Sequence, residues 1–599
     1  MIKKKENVIF IVIDSLSNYN RRDVSHILMP FFSKLEKESL YFPNMFSEAP
    51  YTEAAVMSML CGKDTLSDGG YFYRFKNSKT IFDYFHNNGY DVYNYIQPHV
   101  YPTSILRGND YYFYNVCFDF NVVWEYRLYL YADLYDKNML TQNDYLKIIT
   151  LLDDNFLEWK HFMKAFLVED KSLSLIQKNL NKLYSKDLIK NELNVLLNEI
   201  ELYKKNKINY INDLLAQKKD HRLFSIAVMN QNEKTNPLVK EWLKNEYNKF
   251  FVDINDLNRK NNKNFRRLKM KSIFSDFIQL IKFRDKERMK NSLRYFLNYF
   301  NSFKDDDLYQ RISNNYDSFK SAPSISSHFS HFLNEIKDRK ETEKPFFSCI
   351  HIDDIHNPEM FFSYDIEDKQ VLKQEFSLLK SAMKKIPKNM EGSVSYYLSL
   401  VYIDEKLRCF FEKLEEEKLL DNTLICITGD HGFSFDYKIL RNSSVNNHYL
   451  ENYNVPFFMY SKNFKENGIF NKMCSSKDIL PTFLDIFNFK QLDDSLSGKS
   501  LFAKGENYIL LQNIMGGCPD IDYRKVSIGI LISNQLIVGE ASKINNFTDI
   551  EITEYYNLKT DPHQTNNLMK FSDKLYKTNI YTILKKEFAK LDKNSNLSN

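Results

Sequence analysis

Two acidic residues and a histidine follow strongly apolar segments of the sequence and together have the chemistry to bind a metal ion. Asp14 comes directly after an apolar run at residues 8–13. A second apolar run, at residues 423–428, is followed closely by Asp430 and His431. Carboxylate oxygens with an imidazole nitrogen suit Zn²⁺ or Mn²⁺ better than Ca²⁺, which prefers oxygen ligands. Taken alone, an Asp-His-Gly triplet also fits an ordinary structural turn, so both interpretations are open at this point.

Buried strands of one sheet would bring these residues together. The runs at residues 8–13, 346–352 and 423–428 are short, continuous and apolar, as strands covered on both faces are. Helical patterns lie between them, for example at residues 395–420. This alternation predicts an α/β fold with a mixed, mainly parallel central sheet sandwiched by helices. Ligands of such sheets gather beyond the carboxyl ends of the strands, where the two aspartates are expected.

The length of 599 residues predicts several structural units. Residues 1–115 and 341–505 are assigned to two parts of one catalytic core, and residues 506–599 to a small C-terminal α+β subdomain. Residues 116–340 are rich in Lys, Asn, Leu and Tyr and poor in Gly and Pro, which predicts a large helical insertion. This insertion is a candidate cap over the substrate site. A serine-rich stretch at residues 321–330 predicts the linker that returns to the core.

The composition is that of a folded protein and argues against a nucleic-acid partner. The net charge is only +4, with 43% hydrophobic and 27% charged residues. A basic stretch at residues 259–271 is either a solvated helix face or a contact for an anionic polymer or membrane surface. Seven cysteines without paired spacing are typical of a reducing compartment, and the run at residues 8–13 is too short for a signal peptide. We therefore expect a cytoplasmic protein, with peripheral contact at the inner face of the membrane as an open alternative.

Several motifs resemble the sulfatase-type pattern of the alkaline phosphatase and sulfatase superfamily, in the same order along the core. Residues 7–14 look like the family's first strand and first metal ligand, and Gly89-Tyr90 followed by His99 is similar to its Gly-Tyr…Gly-Lys-Trp-His segment. Further matches are Pro345-Phe346-Phe347 with His356-Asn357-Pro358, residues 419–423 leading to Asp430-His431-Gly432, Val455-Pro456, and residues 478–482, 498–501 and 555–568. The resemblance implies the fold expected above and a metal-dependent enzyme.

The nucleophile position departs from the sulfatase pattern. Sulfatases place Cys or Ser in a Cys-x-Pro-x-Arg context and convert it to formylglycine, whose hydrate attacks sulfur. The equivalent segment here begins with Thr52 and lacks both the Pro and the Arg. Threonine cannot become formylglycine, and Gln97 and Ser15 stand where the family has a Lys and a second Asp. These departures disfavour sulfate ester hydrolysis and leave a calcium-type sulfatase site incomplete.

What remains resembles the phospho-branch of the superfamily, which includes phosphoethanolamine transferases and lipoteichoic acid synthases. Those enzymes pair a Thr nucleophile with an acidic residue, an Asp and a His around one divalent cation. By this resemblance Asp14, Thr52, Asp430 and His431 form the metal site, with Mn²⁺ or Zn²⁺ expected and Mg²⁺ or Ca²⁺ as alternatives. The chemistry is consistent, because a threonine hydroxyl is a poor nucleophile unless a cation stabilises its alkoxide.

Further histidines are candidates for contact with the substrate. By the resemblance, His356 and His448 would bind phosphoryl oxygens or carry the proton of the leaving group, and His99 would bind substrate. His351 lies within an apolar run and is expected to be structural. The spacing of Asp353 before His356 does not match that of dinuclear phosphatases, so one metal ion is expected rather than two.

These residues predict a metal-dependent phospho-ester transferase that forms a covalent phospho-threonine intermediate. The expected donor is a small phospho-compound, and the expected acceptor is a glycan or glycan-lipid precursor, by analogy with transferases of the superfamily. A phosphodiesterase or phosphatase with water as acceptor would use the same residues. A sulfatase is disfavoured by Thr52. A non-catalytic protein on a decayed fold is disfavoured because all four candidate metal ligands are present.

Overall fold

The computed structural model of the protein describes most of the sheet-forming parts of the chain and a smaller share of residues 116–340. The described residues are 6–22, 24–66, 78–96, 111–112, 186–216, 325–337, 339, 344–356, 369–387, 393–433, 448–464, 467–492, 496–503, 508–514, 525–542, 547–571 and 579–595, with scattered residues of 135–167 and 267–278. His99, Gln97 and most of the basic stretch at residues 259–271 lie outside them, so the substrate role of His99 stays a prediction.

The described strands form two sheets, one of nine strands and one of four. The large sheet contains β1 (Asn7–Ile13), β2 (Leu40–Phe46), β3 (Asp91–Tyr95), β4 (Tyr111–Tyr112), β5 (Phe346–Ile352), β6 (Thr423–Gly429), β7 (Asn454–Tyr460), β8 (Gly468–Ile469) and β9 (Cys474–Ser475). The small sheet contains β10 (Ile509–Ile514), β11 (Lys525–Ile532), β12 (Gln535–Ser542) and β13 (Glu551–Asn557).

Helices lie between most of the strands in the described chain. They are α1 (Asn18–Arg22), α2 (Ser25–Leu28), α3 (Pro30–Glu38), α4 (Thr52–Cys61), α5 (Ile81–Asn87), α6 (Lys186–Lys205), α7 (Lys207–Ala216), α8 (Ile325–Lys337), α9 (Lys369–Lys385), α10 (Val394–Glu416), α11 (Leu450–Tyr453), α12 (Ile479–Phe487) and α13 (Asn579–Ser595). None of the described helices combines the length and the apolar character that a membrane crossing requires.

The large sheet has the strand order β4-β3-β5-β1-β6-β7-β2-β8, and β9 pairs with β2. Strand β1 lies between β5 and β6 and pairs in parallel with both, whereas β7 is antiparallel to β6 and β2. This arrangement confirms the predicted mixed, mainly parallel sheet. In the register, Ile13 pairs with Ile352 of β5 and with Gly429 of β6. The three strands therefore end together, and the residues that follow them emerge at one edge of the sheet.

Helices cover both faces of the large sheet, and β1 shows why its sequence is apolar throughout. Because side chains alternate along a strand, Ile9 and Ile11 pack on one face and Val8 and Phe10 on the other, and all four are fully buried. The first face carries α3, α8 and α10 together with buried residues of α6 and α7. The second face carries α4, α5 and α12. The described part of the predicted insertion is thus helical and shares a core with the sheet.

The four-stranded sheet forms a small antiparallel unit at the C-terminal end of the chain, as predicted. Its order is β10-β11-β12-β13, and Leu584 and Phe588 of α13 pack on one face of it. The other face forms an apolar cluster with Phe46 at the end of β2 and with Tyr453 of α11. The small sheet therefore packs against the end of β2, and from there the chain continues toward Thr52.

Residues 325–330 of the serine-rich stretch lie in helix α8, so the expectation of a linker was wrong for them; residues 321–324 lie outside the described residues. The described part of the segment begins at Ile325, whose N–H donates to Asp354 Oδ2 at 2.8 Å. This carboxylate accepts from the first described N–H group of the helix, as side-chain acceptors do in the first turn of helices. Local composition favours a loop, but the acceptor comes from a residue beyond the next strand, which composition cannot reveal.

Candidate metal centre and nucleophile

The common edge of β1, β5 and β6 presents the predicted carboxylates and histidine. Asp14 directly follows β1, and its N–H donates to Ile352 O of β5 at 2.8 Å. Asp430 and His431 directly follow β6. A side chain at Gly429 would place Cβ only 2.6 Å from Leu16 O, so a glycine is required where the loop after β1 crosses the end of β6. The parallel register is therefore what joins residues more than four hundred positions apart.

Thr52 reaches the same edge from a different element. It is the first residue of α4, which follows β2 after a short connection. Its Oγ1 donates a hydrogen bond to Asp14 Oδ2 at 3.1 Å and lies 3.3 Å from His431 Nε2. The amino end of a helix carries partial positive charge and free N–H groups, which favour an anion at this position. The structure thus holds the Thr52 hydroxyl between two predicted metal ligands, where an alkoxide or a phosphoryl group would be stabilised.

The hydrogen bond of the His431 ring fixes which of its nitrogens can accept. His431 Nδ1 lies 2.7 Å from Gly432 O. A carbonyl oxygen only accepts, so the neutral ring carries its proton on Nδ1 and keeps a lone pair on Nε2. Nε2 is the nitrogen that faces Thr52 Oγ1, and it lies 3.8 Å from Asp14 Oδ1 and 3.7 Å from Asp430 Oδ2. This tautomer is the one that a metal ligand needs.

The two carboxylate oxygens of Asp430 differ in the hydrogen bonds that they accept. The residue is completely buried. Its Oδ1 accepts hydrogen bonds from the N–H groups of Ser15 at 2.9 Å and His431 at 2.6 Å. Its Oδ2 has no hydrogen-bond partner among the described residues. A buried carboxylate oxygen without a partner is costly, so a cation in contact with Oδ2 would supply the missing interaction.

The donor atoms fit a divalent ion. Asp14, Asp430 and His431 offer ligand atoms within 4.8 Å of one another, and Thr52 Oγ1 lies beside them. Ligands at ~2.0–2.1 Å around a tetrahedral ion are separated by about 3.3 Å. The observed separations include 3.1 Å, 3.3 Å and 3.7 Å between neighbouring donors. Two carboxylates, one imidazole and one hydroxyl suit Zn²⁺ or Mn²⁺.

Asp14 is held in its ionised form by its histidine neighbours. Burial by itself would raise the pKa of Asp14, but His356, which lies within hydrogen-bond distance, and the nearby His431 and His351 hold that pKa below its usual range. The contact with His356 is direct, with Nδ1 lying 2.9 Å from Asp14 Oδ1. An ionised carboxylate is the form that binds a metal.

The two histidines predicted to meet the substrate have different surroundings. His356 follows β5, contacts Asp14 through Nδ1, and has a side chain that is 43% exposed. His448 is completely buried and stacks on Tyr453, with ring centroids 5.5 Å apart. A Cβ on Gly529 of β11 would lie only 2.8 Å from its ring. The structure therefore groups His356 with the metal ligands and places His448 against the C-terminal sheet.

His351 lies at the site although the sequence predicted only a structural role for it. Its ring is buried, with Nδ1 2.8 Å from Asp353 Oδ1 and Nε2 3.7 Å from Asp430 Oδ2. Asp14, His351 and Asp353 form a second group with metal-ligand spacing, but the close pairing of His351 with Asp353 already uses Nδ1. The signal for its location was the parallel pairing of β5 with β1, which puts the end of β5 beside Asp14.

Comparison with known proteins decides the family. A protein-family model described as Sulfatase matches residues 6–166 and 208–489, well over half of the chain. The chain belongs to the sulfatase family. The predicted membership of the alkaline phosphatase and sulfatase superfamily is thereby confirmed, and the protein is an enzyme of that superfamily. The matched residues include every residue of the candidate metal centre.

The relatives of this sulfatase-family chain include proteins named as sulfatases and proteins named as lipoteichoic acid synthases. It is 30% identical over 112 residues to the uncharacterised sulfatase YdeN of Escherichia coli K12, covering 18% of this chain and 20% of YdeN. It is 26% identical over 208 residues to lipoteichoic acid synthase 1 of Bacillus subtilis 168, covering 33% of this chain and 31% of the synthase. The chain thus matches less than a third of the length of either protein.

A solved structure extends the similarity in fold to nearly the whole chain. The crystal structure of yidJ from Bacteroides fragilis, which is described as a sulfatase, superposes with a TM-score of 0.51. The alignment covers 99% of this chain and 98% of yidJ at 12% sequence identity. At that identity the match establishes a common fold.

Proposed function

We propose that this sulfatase-family enzyme is a metal-dependent phospho-ester transferase that works through a phospho-threonine intermediate. The observation that supports it is the position of Thr52, whose hydroxyl lies 3.1 Å from Asp14 Oδ2 and 3.3 Å from His431 Nε2. A threonine cannot be oxidised to the formylglycine aldehyde of sulfatases. Its covalent intermediate is therefore an ester of the Thr52 hydroxyl, and phosphoryl transfer is the chemistry that such an ester serves.

In the first step, Thr52 Oγ1 bonds to the phosphorus of the donor while the bond from phosphorus to the leaving alcohol breaks. A divalent cation held by Asp14, Thr52, Asp430 and His431 would stabilise the threonine alkoxide and polarise a phosphoryl oxygen. Thr52 loses its proton to solvent when its alkoxide first forms, and the leaving alcohol gains a separate proton. His356 supplies the latter from Nε2, because its Nδ1 is engaged with Asp14 and its ring is partly exposed.

In the second step, an acceptor hydroxyl attacks the phospho-threonine and releases Thr52 as the alkoxide with which the next cycle begins. The acceptor gives up its proton to His356, which returns to its starting state. We keep a small phospho-compound as the donor and a glycan or glycan-lipid precursor as the acceptor; the similarity to a lipoteichoic acid synthase supports this class of transfer. We also keep a cytoplasmic location, which the free thiols of Cys349, Cys409, Cys426 and Cys474 support.

The first experiment compares the wild type with Thr52→Ala and Thr52→Ser on nitrophenyl phosphodiester, phosphomonoester and sulfate substrates, with Mn²⁺ or Zn²⁺ added. We expect metal-dependent cleavage of the phosphodiester, loss of cleavage in Thr52→Ala and retention of part of it in Thr52→Ser, which keeps a hydroxyl. Intact-mass measurement should detect a phospho-adduct on the wild type and on Thr52→Ser, and none on Thr52→Ala.

Two results would overturn the proposal: turnover of the sulfate ester in preference to the phosphodiester, or unchanged turnover in Thr52→Ala. Transfer and hydrolysis are separated by adding glycerol or a short glycan as acceptor. A transferase forms the new phosphodiester and turns over faster as acceptor concentration rises. A hydrolase releases only the hydrolysed donor.

A further inference from the structure

Ser15 has an uncommon backbone conformation directly beside the metal centre. It is buried, and its φ of 62° lies in the left-handed region that residues other than glycine rarely adopt. Such conformations cost free energy and persist where the surrounding structure requires them. In this conformation the Ser15 hydroxyl donates to Asp14 Oδ1 at 2.6 Å, and the Ser15 N–H donates to Asp430 Oδ1 at 2.9 Å. One strained residue therefore contacts both carboxylates of the centre.

In both carboxylates, the remaining contacts also differ between Oδ1 and Oδ2. A carboxylate oxygen has two lone pairs, and both Oδ1 atoms have two partners. Asp14 Oδ1 also contacts His356 Nδ1 at 2.9 Å, and Asp430 Oδ1 also accepts from the His431 N–H at 2.6 Å. By contrast, Asp14 Oδ2 accepts from Thr52 Oγ1, and Asp430 Oδ2 has no hydrogen bond among the described residues. Each carboxylate thus has its Oδ1 engaged by two donors and keeps a lone pair for a cation on Oδ2; His431 Nε2 also lies 3.8 Å from Asp14 Oδ1.

We propose that Ser15 determines which cation the centre selects, by occupying Oδ1 of Asp14 and of Asp430 so that each binds through Oδ2 alone. The centre then offers few ligands, namely two single carboxylate oxygens, His431 Nε2 and Thr52 Oγ1. Four ligands of mixed type complete the shell of Zn²⁺ and serve Mn²⁺ with added water. Ca²⁺ takes six to eight oxygens and commonly uses carboxylates in bidentate fashion, which the Ser15 contacts prevent. The inference rests on the proposed function only in assuming the metal centre.

The test is titration calorimetry of the metal-free full-length protein with Mn²⁺ and with Ca²⁺, without substrate. Ser15→Gly removes the hydroxyl, keeps the N–H and tolerates the backbone conformation. Ser15→Ala removes the hydroxyl and keeps the strain. Loss of contacts that orient metal ligands commonly weakens binding by about 10–100-fold. We expect that weakening for Mn²⁺ in both variants, with Ca²⁺ affinity unchanged or higher, since Asp14 Oδ1 becomes available.

Ser533→Gly is the matched control. Ser533 has φ of 52°, is exposed, and lies in the turn between β11 and β12. The Ser533→Gly variant should bind both ions as the wild type does. The melting temperature of each metal-free variant shows whether it is folded. Equal loss of Mn²⁺ and Ca²⁺ affinity in Ser15→Gly, or no loss of either, would contradict the proposed role of Ser15 in cation selection. A wild type that binds neither ion overturns the inference and removes the metal from the proposed function. Normal binding without any turnover contradicts the proposed function alone.

Discussion

At the scale of single residues, two histidines of the site differ in the group that their Nδ1 atom contacts, and this difference suits them to different chemistry. His431 Nδ1 donates to a carbonyl, which leaves Nε2 with a lone pair beside Thr52. His356 Nδ1 lies 2.9 Å from Asp14 Oδ1, and a carboxylate beside an imidazole favours the protonated ring. Two identical side chains are thereby suited to different chemistry, one as a metal ligand and the other as a proton donor to the leaving group.

The proton-donor role of His356 predicts a dependence on the leaving group. In His356→Asn the amide nitrogen replaces Nδ1 and keeps the contact with Asp14, but no atom replaces Nε2. We expect kcat/KM for an alkyl phosphodiester to fall by about 10²–10⁴-fold. The nitrophenyl phosphodiester should lose much less, because nitrophenolate leaves without a proton. Steady-state kinetics on both substrates measures the difference.

His86→Asn is the control for this prediction. His86 is exposed in the last turn of α5, before β3, and therefore lies toward the opposite edge of the sheet. Its kinetics should match those of the wild type on both substrates. Equal losses on the alkyl and nitrophenyl substrates in His356→Asn would assign His356 to binding or to support of Asp14 and exclude proton donation.

At the scale of elements, the sequence predicts best what parallel strands impose. The runs at residues 8–13, 346–352 and 423–428 appear as β1, β5 and β6, because strands buried on both faces must be continuously apolar. Their common direction places Asp14 and Asp430 at one edge, so the meeting of these two residues followed from the strands alone. Strand β2 gave no such signal, because Pro43 and Asn44 interrupt it where its pairing with β7 shifts register.

Contacts that depend on tertiary packing could not be predicted from local sequence. Ser15 appeared only as a departure from a motif, because its function depends on a left-handed φ and on a carboxylate 415 positions away. The location of His351 depends on the register between β5 and β1. The N–H of Ile325, the first described residue of α8, has its acceptor in Asp354. The role of Thr52 was implied only through the family resemblance, and its position at a helix start was not predicted. Each case involves partners that periodicity does not connect.

Another contact between elements predicts a pH dependence of stability. Asp404 of α10 accepts hydrogen bonds from the N–H groups of Phe31 at 3.1 Å and Phe32 at 2.8 Å, in the first turn of α3. Burial raises the pKa of Asp404 to about 7, although these two N–H groups lower it. An unfolded Asp has a pKa of about 3.9. The native state therefore binds this proton more tightly than the unfolded state does.

It follows that the stabilisation from protonated Asp404 is complete below about pH 4 and is lost as pH rises toward about 7. Asp404→Asn stays neutral at every pH. Its melting temperature relative to the wild type should therefore increase as pH rises across this window, which thermal unfolding at several pH values measures. Gln535→Ala, an exposed change that removes no titratable group, should give a constant difference. A constant difference for Asp404→Asn as well would show that Asp404 ionises normally in the folded protein.

At the scale of the whole molecule, the C-terminal sheet supports the segment that leads to Thr52, the proposed nucleophile. Gln512 of β10 donates from its backbone N–H to Glu48 O at 2.9 Å and from its side chain to Glu48 Oε2 at 2.7 Å. Asn513, the next residue, accepts a hydrogen bond from Tyr51 Oη at 2.6 Å. Tyr51 immediately precedes Thr52. The two candidate metal carboxylates directly follow strands of the large sheet, whereas the segment before Thr52 is also bonded to the C-terminal sheet.

This division predicts that weakening the contact between the two sheets affects catalysis more than metal binding. Tyr51→Phe and Asn513→Ala each remove the hydrogen bond beside Thr52 and leave Asp14, Asp430 and His431 on their strands. A displacement of the nucleophile by about 1 Å can cost on the order of 100-fold in rate, so we expect kcat to fall by about 10–100-fold. Mn²⁺ affinity, measured by calorimetry, should fall much less, because three of the four ligands are unaffected. Gln535→Ala, an exposed change at the start of β12, should alter neither quantity. A parallel fall of rate and affinity would mean that the C-terminal sheet supports the whole centre, and an unchanged rate would mean that α4 holds Thr52 without it.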